Sequence, residues 1–352
     1  LGYVGLMNQQ EREKFAPLKD YQNTQYIGKV GLEKFYEQDL HGQAGKQQIE
    51  VNARGKILNR SVHTPATSGT HIKLHLDIKL QKFIATKLAG HKGAVVAIEP
   101  STGGILSLYS NPSYDPNLFI SRADNSNLST LLNSGDKPFF NRATNGQYPP
   151  ASTIKPFVAS AVLNSNVIDH EAAFHDTGIF KIEGSQRVYH DWKPGGHGDV
   201  DLTRAIAVSS DTYFYYVGQT LGNAIISKHL QHFSFGRKLS IDLPFQSSGV
   251  LPTDKWKLQN IHSSWTMGDN LNTAIGQGYF LVTPLQLAYA TTILANRGKA
   301  VTPKLLKSKL VNHNLSLQLN TAIDNNYLST LGHDHWQTIN TALTQVVHSK
   351  YG

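Results

Sequence analysis

Tyr148-Pro149-Pro150-Ala151-Ser152-Thr153-Ile154-Lys155-Pro156-Phe157-Val158 sets a hydroxyl and an amine three residues apart at the start of a stretch with helical spacing. Ile154, Phe157, Val158, Ala161 and Val162 recur at the interval that buries one helix face, so a helix is expected over Thr153 to Leu163. Positions i and i+3 share a face, so the Lys155 amine is within reach of the Ser152 oxygen and, when neutral, accepts its proton. A serine armed in this way needs no histidine. Its place at the positive end of a helix also sets backbone N–H groups where an oxyanion would form.

Alone, the tetrad is weak. A second copy of the pattern, Ser134-Gly135-Asp136-Lys137, has a Gly-Asp centre that reads as a solvated turn. Ser152 is distinguished by its company. Ser209-Ser210-Asp211 follows one expected helix, Leu202 to Val208, and precedes another, Thr212 to Leu221, which opens with the aromatic run Tyr213-Phe214-Tyr215-Tyr216. A serine-x-amide/acid element of this kind is what penicillin-interacting serine enzymes set opposite the nucleophile.

On these residues the chain resembles the class B penicillin-binding proteins, and within them the elongation-specific penicillin-binding protein 2 group of Gram-negative bacteria. Three further stretches carry the likeness in the same order: Ile27 to Glu33 with Leu40-His41-Gly42, similar to the pedestal motif; Gly93 to Pro100 through Ser113 to Asn117, similar to the first hairpin of the catalytic domain; and Gly276-Gln277-Gly278-Tyr279 with Thr283-Pro284-Leu285-Gln286, similar to the segment before the last catalytic strand. Four ordered matches are far more specific than one tetrapeptide.

The resemblance implies an α+β penicillin-binding transpeptidase fold, an antiparallel sheet with helices, over residues 69–352, preceded at 1–68 by part of a small extended pedestal, or dimerisation-type, domain. It implies a peptidoglycan D,D-transpeptidase of cell elongation, a target of β-lactams. Ser152 is the nucleophile, Lys155 the general base and Ser209 a proton relay. Asp211 holds Lys155 or accepts a substrate amide; an aspartate there resembles the elongation group, where most other relatives carry asparagine. Trp192 is placed as a wall of the cleft and Gln277 beside the substrate. The family's Lys-Ser/Thr-Gly element is absent from the chain, which stops at Lys350-Tyr351-Gly352. The expected partners are peptidoglycan stem peptides and lipid-linked precursor, a glycosyltransferase of the elongation machinery, cell-shape scaffold proteins and β-lactams. The expected location is the periplasmic face of the inner membrane, with a single anchoring helix upstream of residue 1.

Such chemistry requires no cofactor. A metal is nonetheless suggested by the histidines and aspartates between the two motifs, His175-Asp176, His190-Asp191-Trp192 and His197-Gly198-Asp199. Asp176, Asp191 and His197 offer imidazole and carboxylate ligands suited to a structural zinc. Some relatives complete such a site with cysteine, where this chain has Ser210. The alternative is a set of loop charges joined by a His-Asp hydrogen bond.

Bulk properties fit this frame. The 352 residues suffice for two domains, and no run of eighteen apolar residues occurs. The formal charge of +8 suits an anionic surroundings. The lysines and arginines are scattered, however, with no basic run, which argues against nucleic acid as a partner. With no cysteine, disulfides and thiolate metal sites are excluded. Residues 1–68 read as polar and loop-rich, with an edge strand near Gln48 to Asn52 and a linker at Pro65 to Thr70. Beyond lie a strand at Ile72 to Leu76, a helix at Ile78 to Leu88, a hairpin of Ala94 to Ile98 and Ile105 to Tyr109 turning at Gly103-Gly104, and a helix at Pro284 to Ala295. Helices and strands mix without a repeating βα rhythm. A serine β-lactamase, a D,D-carboxypeptidase and a non-catalytic sensor or scaffold are the competing readings.

Overall fold

The computed structural model describes residues 1–22, 24–120, 125–311, 314–317, 322–323 and 326–348. At its centre runs the helix Lys155–Ser165, whose Phe157 to Leu163 are all buried. A helix buried on every side must be apolar all round, which the sequence Phe-Val-Ala-Ser-Ala-Val-Leu supplies; each large side chain there contributes about 1.5–3 kcal/mol by leaving water. Pro156 is tolerated because it falls in the first turn, where N–H groups lack partners in any case. The helix ends at Asn166, which takes the left-handed conformation of a C-terminal cap.

Around it pack Leu202–Ala207, Asp211–Gln231 and His333–His348, the last burying Trp336, Ile339 and Ala342. The Asp211–Gln231 helix is broken at Gly222, with φ 70° and ψ 165°. The sequence reading stops this helix at Leu221, the residue before the break; a second helical segment then resumes. Met267–Ala274 packs along the first.

The strands form the opposing layer. Gly93–Ile98 pairs antiparallel with Ile105–Asn111, the expected hairpin, and Pro284–Ala295 lies against it. His71–Leu74 pairs antiparallel with Leu306–Val311, which also pairs with Asn314–Leu317. The two groups are joined where Ile105 N–H donates to Lys304 O at 2.9 Å. This is the mixed helical and antiparallel architecture anticipated from the sequence, with the expected strand at Ile72 to Leu76 shifted to His71–Leu74.

The N-terminal segment has its own small apolar cluster, Met7, Tyr21 and Ile27 with Phe15. It is nonetheless tied to the rest. Leu32 and Tyr36 sit in the main core, and Tyr36 OH donates to Asp242 Oδ2 at 2.9 Å. The Pro65 to Thr70 stretch is pinned, since Thr70 N–H donates to Asp39 O at 2.7 Å and Thr67 bridges Gln43. In contrast, among the described residues the hairpin Lys46–Val51 with Ile57–Thr64 pairs only with itself, leaving Ile49, Val51, Ile57 and Leu58 exposed.

Candidate active site

Ser152 lies on a 3₁₀ turn, Ala151–Ile154, that runs directly into the Lys155–Ser165 helix. Ala151 is held at φ 49°, a conformation that costs a side chain-bearing residue on the order of 1 kcal/mol. Its N–H donates to Gly276 O at 2.9 Å. Gly276 itself has φ 71°, and a Cβ there would fall 2.4 Å from Ala151 O, so only glycine lets this segment close on the Ser152 turn. Gln277, the next residue, is thereby exposed beside Ser152's turn. The second SxxK sequence forms the solvated turn expected of it, with Asp136 paired to Lys92 at 2.7 Å.

Lys155 is 1% exposed. Its Nζ donates to Asp211 Oδ1 at 2.6 Å, to Ser209 O at 2.7 Å and to Ser209 Oγ at 3.1 Å. Burial pushes its pKa down from the ordinary lysine value, outweighing the pull of the Asp211 carboxylate in the other direction. The structure thus brings together Lys155, Ser209 and Asp211 from two distant stretches. The expected reach from Lys155 to Ser152 is not among its hydrogen bonds: the amine turns toward Ser209 and Asp211, while the Ser152 side chain faces solvent.

Ser209 sits at φ 55°, between the Leu202–Ala207 helix and the next. The sequence allows Ser209 to cap that next helix. The cap is instead Ser210, whose Oγ accepts the Tyr213 N–H at 3.1 Å, because the left-handed bend at Ser209 turns its own side chain to Lys155. Trp192 is 62% exposed, which excludes a core role, and its indole N–H donates to Val208 O at 3.2 Å and Ser209 O at 3.1 Å.

Beneath the Ser209-Ser210-Asp211 turn lie the three candidate ligands, all buried, with one ligand atom of each within 4.8 Å of the others. Pairing of Phe174–Asp176 with Gly198–Val200 sets His197 near Asp176, and Asp191 N–H donates to Gly178 O at 3.0 Å, closing the group. Asp191 Oδ2 accepts the N–H groups of Asp211 (2.7 Å) and Thr212 (3.0 Å) at the positive end of the helix. Burial raises the Asp191 pKa, but hydrogen bonds from Lys193 and Thr212 and the nearby His197 carry the balance below the usual carboxylate range. Asp191 Oδ1 is 3.2 Å from His197 Nε2. Asp176 Oδ2 accepts Ser210 Oγ–H at 2.7 Å, and Thr212 Oγ1 lies 2.6 Å from Asp176 Oδ1 and 2.9 Å from Asp191 Oδ2. One hydroxyl proton serves one of these carboxylates at a time. The donor set suits a divalent ion on three sides; the fourth side carries the Ser210 hydroxyl, a poor ligand already engaged with Asp176. His175 stands apart, exposed and paired to Asp199 at 2.7 Å.

Sequence reasoning passed over Ser210 as a cap and Thr212 as the link between the carboxylates. The signal was present in Ser209-Ser210-Asp211-Thr212, a run of hydroxyls at a helix start, where side-chain to backbone bonds concentrate.

Comparison with known proteins identifies the family. Residues 93–352 match the penicillin binding protein transpeptidase domain, and residues 1–74 the penicillin-binding protein dimerisation domain. The chain is 42% identical over 311 residues to the peptidoglycan D,D-transpeptidase MrdA of Escherichia coli K12, covering 88% of this chain and 49% of that protein. MrdA of Acinetobacter baumannii is 42% identical over 309 residues, covering 88% and 46%. The chain therefore spans about half the length of the curated relatives it matches. Among solved structures, Pseudomonas aeruginosa PBP2 in complex with WCK 5153 superposes with a TM-score of 0.84 at 35% identity, over all of this chain and 72% of that one. Helicobacter pylori PBP2 in complex with MreC gives 0.84 at 31%, over all of this chain and 63% of that one. With a family domain matched across the whole segment that holds Ser152, Lys155, Ser209 and Asp211, the chain belongs to the penicillin-binding protein transpeptidases.

Proposed function

We propose that the protein is a peptidoglycan D,D-transpeptidase of cell elongation, acting through a serine acyl-enzyme and acylated by β-lactams. The observation that carries this reading is the Lys155 amine, sealed from water, lowered in pKa, and shared between Ser209 and Asp211. Ser152 Oγ attacks the carbonyl carbon of the penultimate D-alanine of a stem peptide while its proton passes to neutral Lys155. The C–N bond of the tetrahedral intermediate breaks, and the departing D-alanine amine takes a proton from Lys155 through Ser209 Oγ. An acceptor amine then attacks the Ser152 ester and releases the cross-linked product, its surplus proton returning by the same route. Asp211 balances the charge of the transient ammonium. Gln277, exposed beside the Ser152 turn, lines the approach.

Asp176, Asp191 and His197 are the residues that would hold a zinc ion, which when bound would fix the start of the Asp211–Gln231 helix. Elemental analysis of protein purified without chelator, with His197→Ala beside it, tests that assignment. Metal-free protein with unchanged melting in chelator would leave the cluster a hydrogen-bonded clamp.

Helicobacter pylori PBP2 forms a complex with MreC, and another similar structure (TM-score 0.81, 27% identity) comes from work on coordination of polymerization and crosslinking by a peptidoglycan synthase complex. By likeness, residues 1–68 are the proposed docking module for a cell-shape scaffold protein and a glycosyltransferase, and residues 69–352 the catalytic module. Stem peptides and lipid-linked precursor are the proposed substrates. The proposed setting is the periplasmic face of the inner membrane; among the described residues no helix is long and apolar enough to cross a membrane.

Labelled penicillin with the full-length protein tests the reading. Label persisting for hours on Ser152 by mass spectrometry supports it. Rapid turnover indicates a β-lactamase, label on another serine refutes the nucleophile, and no label on folded protein indicates a scaffold. Release of D-alanine without amine incorporation would make it a carboxypeptidase.

A further inference from the structure

We propose that Trp192 is a positioning residue, whose indole N–H holds the Val208-Ser209 turn so that the Ser209 hydroxyl is presented to the Lys155 amine. The proposal rests on the transpeptidase reading above. A non-glycine residue at φ 55° is strained, and persists only where its neighbours over-determine it. Three contacts do so here. Ser209 N–H donates to Ile206 O at 3.1 Å, Lys155 Nζ donates to Ser209 O at 2.7 Å, and Trp192 Nε1–H donates to Ser209 O at 3.1 Å and Val208 O at 3.2 Å.

The two side-chain donors to Ser209 O are not equivalent. Lys155 must turn toward Ser152 to receive its proton, and in doing so loosens its hold on the carbonyl. The indole is a donor only, does not titrate at any working pH, and takes no part in proton traffic. It keeps the carbonyl satisfied, and the left-handed bend in place, while the amine moves. The ring is held without burial. Asp191, its chain neighbour, is fixed by the N–H groups of Asp211, Thr212 and Lys193, and the indole lies beside the His197 ring, tilted by 54° with centroids 5.3 Å apart.

Trp192→Phe in the full-length protein keeps one aromatic ring and removes the N–H donor with the fused second ring; the side chain is mostly exposed, so melting should stay close to that of the wild type. The expected result is an acylation rate constant about tenfold lower, the loss of one well-placed hydrogen bond, with the dissociation constant of the non-covalent penicillin complex unchanged. In a Ser209→Ala background the same change should cost less than about twofold, since a residue acting through Ser209 has nothing left to position. Weaker non-covalent binding at an unchanged acylation rate would make Trp192 a wall of the cleft and overturn the proposal. So would a full tenfold loss in the Ser209→Ala background. Failure of the wild-type protein to acylate at all is a separate outcome, which strikes the transpeptidase reading.

Discussion

The candidate active site and the Lys46–Thr64 hairpin are inversions of each other. Around Ser209, the polar groups Lys155, Asp176, Asp191, His197, Ser210 and Thr212 are buried. On the hairpin, the apolar residues Ile49, Val51, Ile57 and Leu58 are exposed. Burying polar groups costs free energy unless each finds a partner, and here each does, so desolvation lowers the lysine pKa instead of unfolding the site. Exposing apolar groups costs little locally, but a two-stranded ribbon on its own is marginally stable. The first region depends on the interior of its own domain for its chemistry. The second, on the proposed reading, finds its purpose in contact with other proteins.

The strongest way to break that comparison is Lys155→Ala. Loss of the buried base should lower β-lactam acylation by on the order of a thousandfold, whereas Ser209→Ala, whose relay a water molecule can replace, should cost much less; both are read from the rate of labelled-penicillin incorporation. Equal rates in the two variants would remove Lys155 from its role.

Asp191→Ala comes next. It strands the N–H groups of Asp211 and Thr212 in a buried helix start, and urea denaturation should show a loss of about 2–3 kcal/mol. No loss would mean that water or Asp176 takes over the carboxylate's bonds.

Asp211→Asn sharpens the electrostatic half. The Asp211 carboxylate raises the Lys155 pKa against the larger effect of burial. Removing that charge lowers the pKa further. Since neutral amine is the active form, the acid limb of the acylation pH profile should move to lower pH; movement to higher pH would contradict the assigned balance.

The smallest effect is expected on the hairpin. Ile49→Thr or Val51→Thr should change stability by no more than about 0.5 kcal/mol and leave penicillin labelling intact, because both side chains stay about half exposed and lie outside the main core. Impaired labelling would tie the hairpin to the site by a path its hydrogen bonds do not suggest.

What the sequence disclosed follows the same division. The Phe157 to Leu163 run, the Gly103 turn and the Pro284 to Ala295 stretch are local signals, and the Pro284–Ala295 helix begins and ends where the sequence places it, with Thr283 and Gln286 closing a capping box at its start. The Ser152, Lys155, Ser209 and Asp211 motifs were visible as short patterns. What was not visible is their meeting. The left-handed bend at Ser209, the closure of Gly276 on Ala151 and the bond from Trp192 to the Ser209 carbonyl depend on residues 17 to more than 100 positions apart, brought together only by packing. The Ser210 cap was missed for a local reason: two adjacent serines offer the same chemistry, and the backbone twist decides which of them is used.

Asp242 gives the molecule a joint that is unequal on its two sides. Its buried carboxylate accepts the N–H groups of Leu305 and Leu306 at 2.8 and 2.7 Å, and the Tyr36 hydroxyl at 2.9 Å. Two backbone bonds secure it to the strand that flanks the catalytic layer; one side-chain bond secures it to the N-terminal segment, where burial against this carboxylate also pushes the Tyr36 phenol pKa up and keeps the proton in place. Under a load that draws the N-terminal segment away, the Tyr36 bond is the weaker side of this joint. It should part before the two backbone bonds, leaving Asp242 and the strand still fastened together, while the Lys309–Asp39 ion pair at 2.7 Å remains a second tie between that strand and the N-terminal segment.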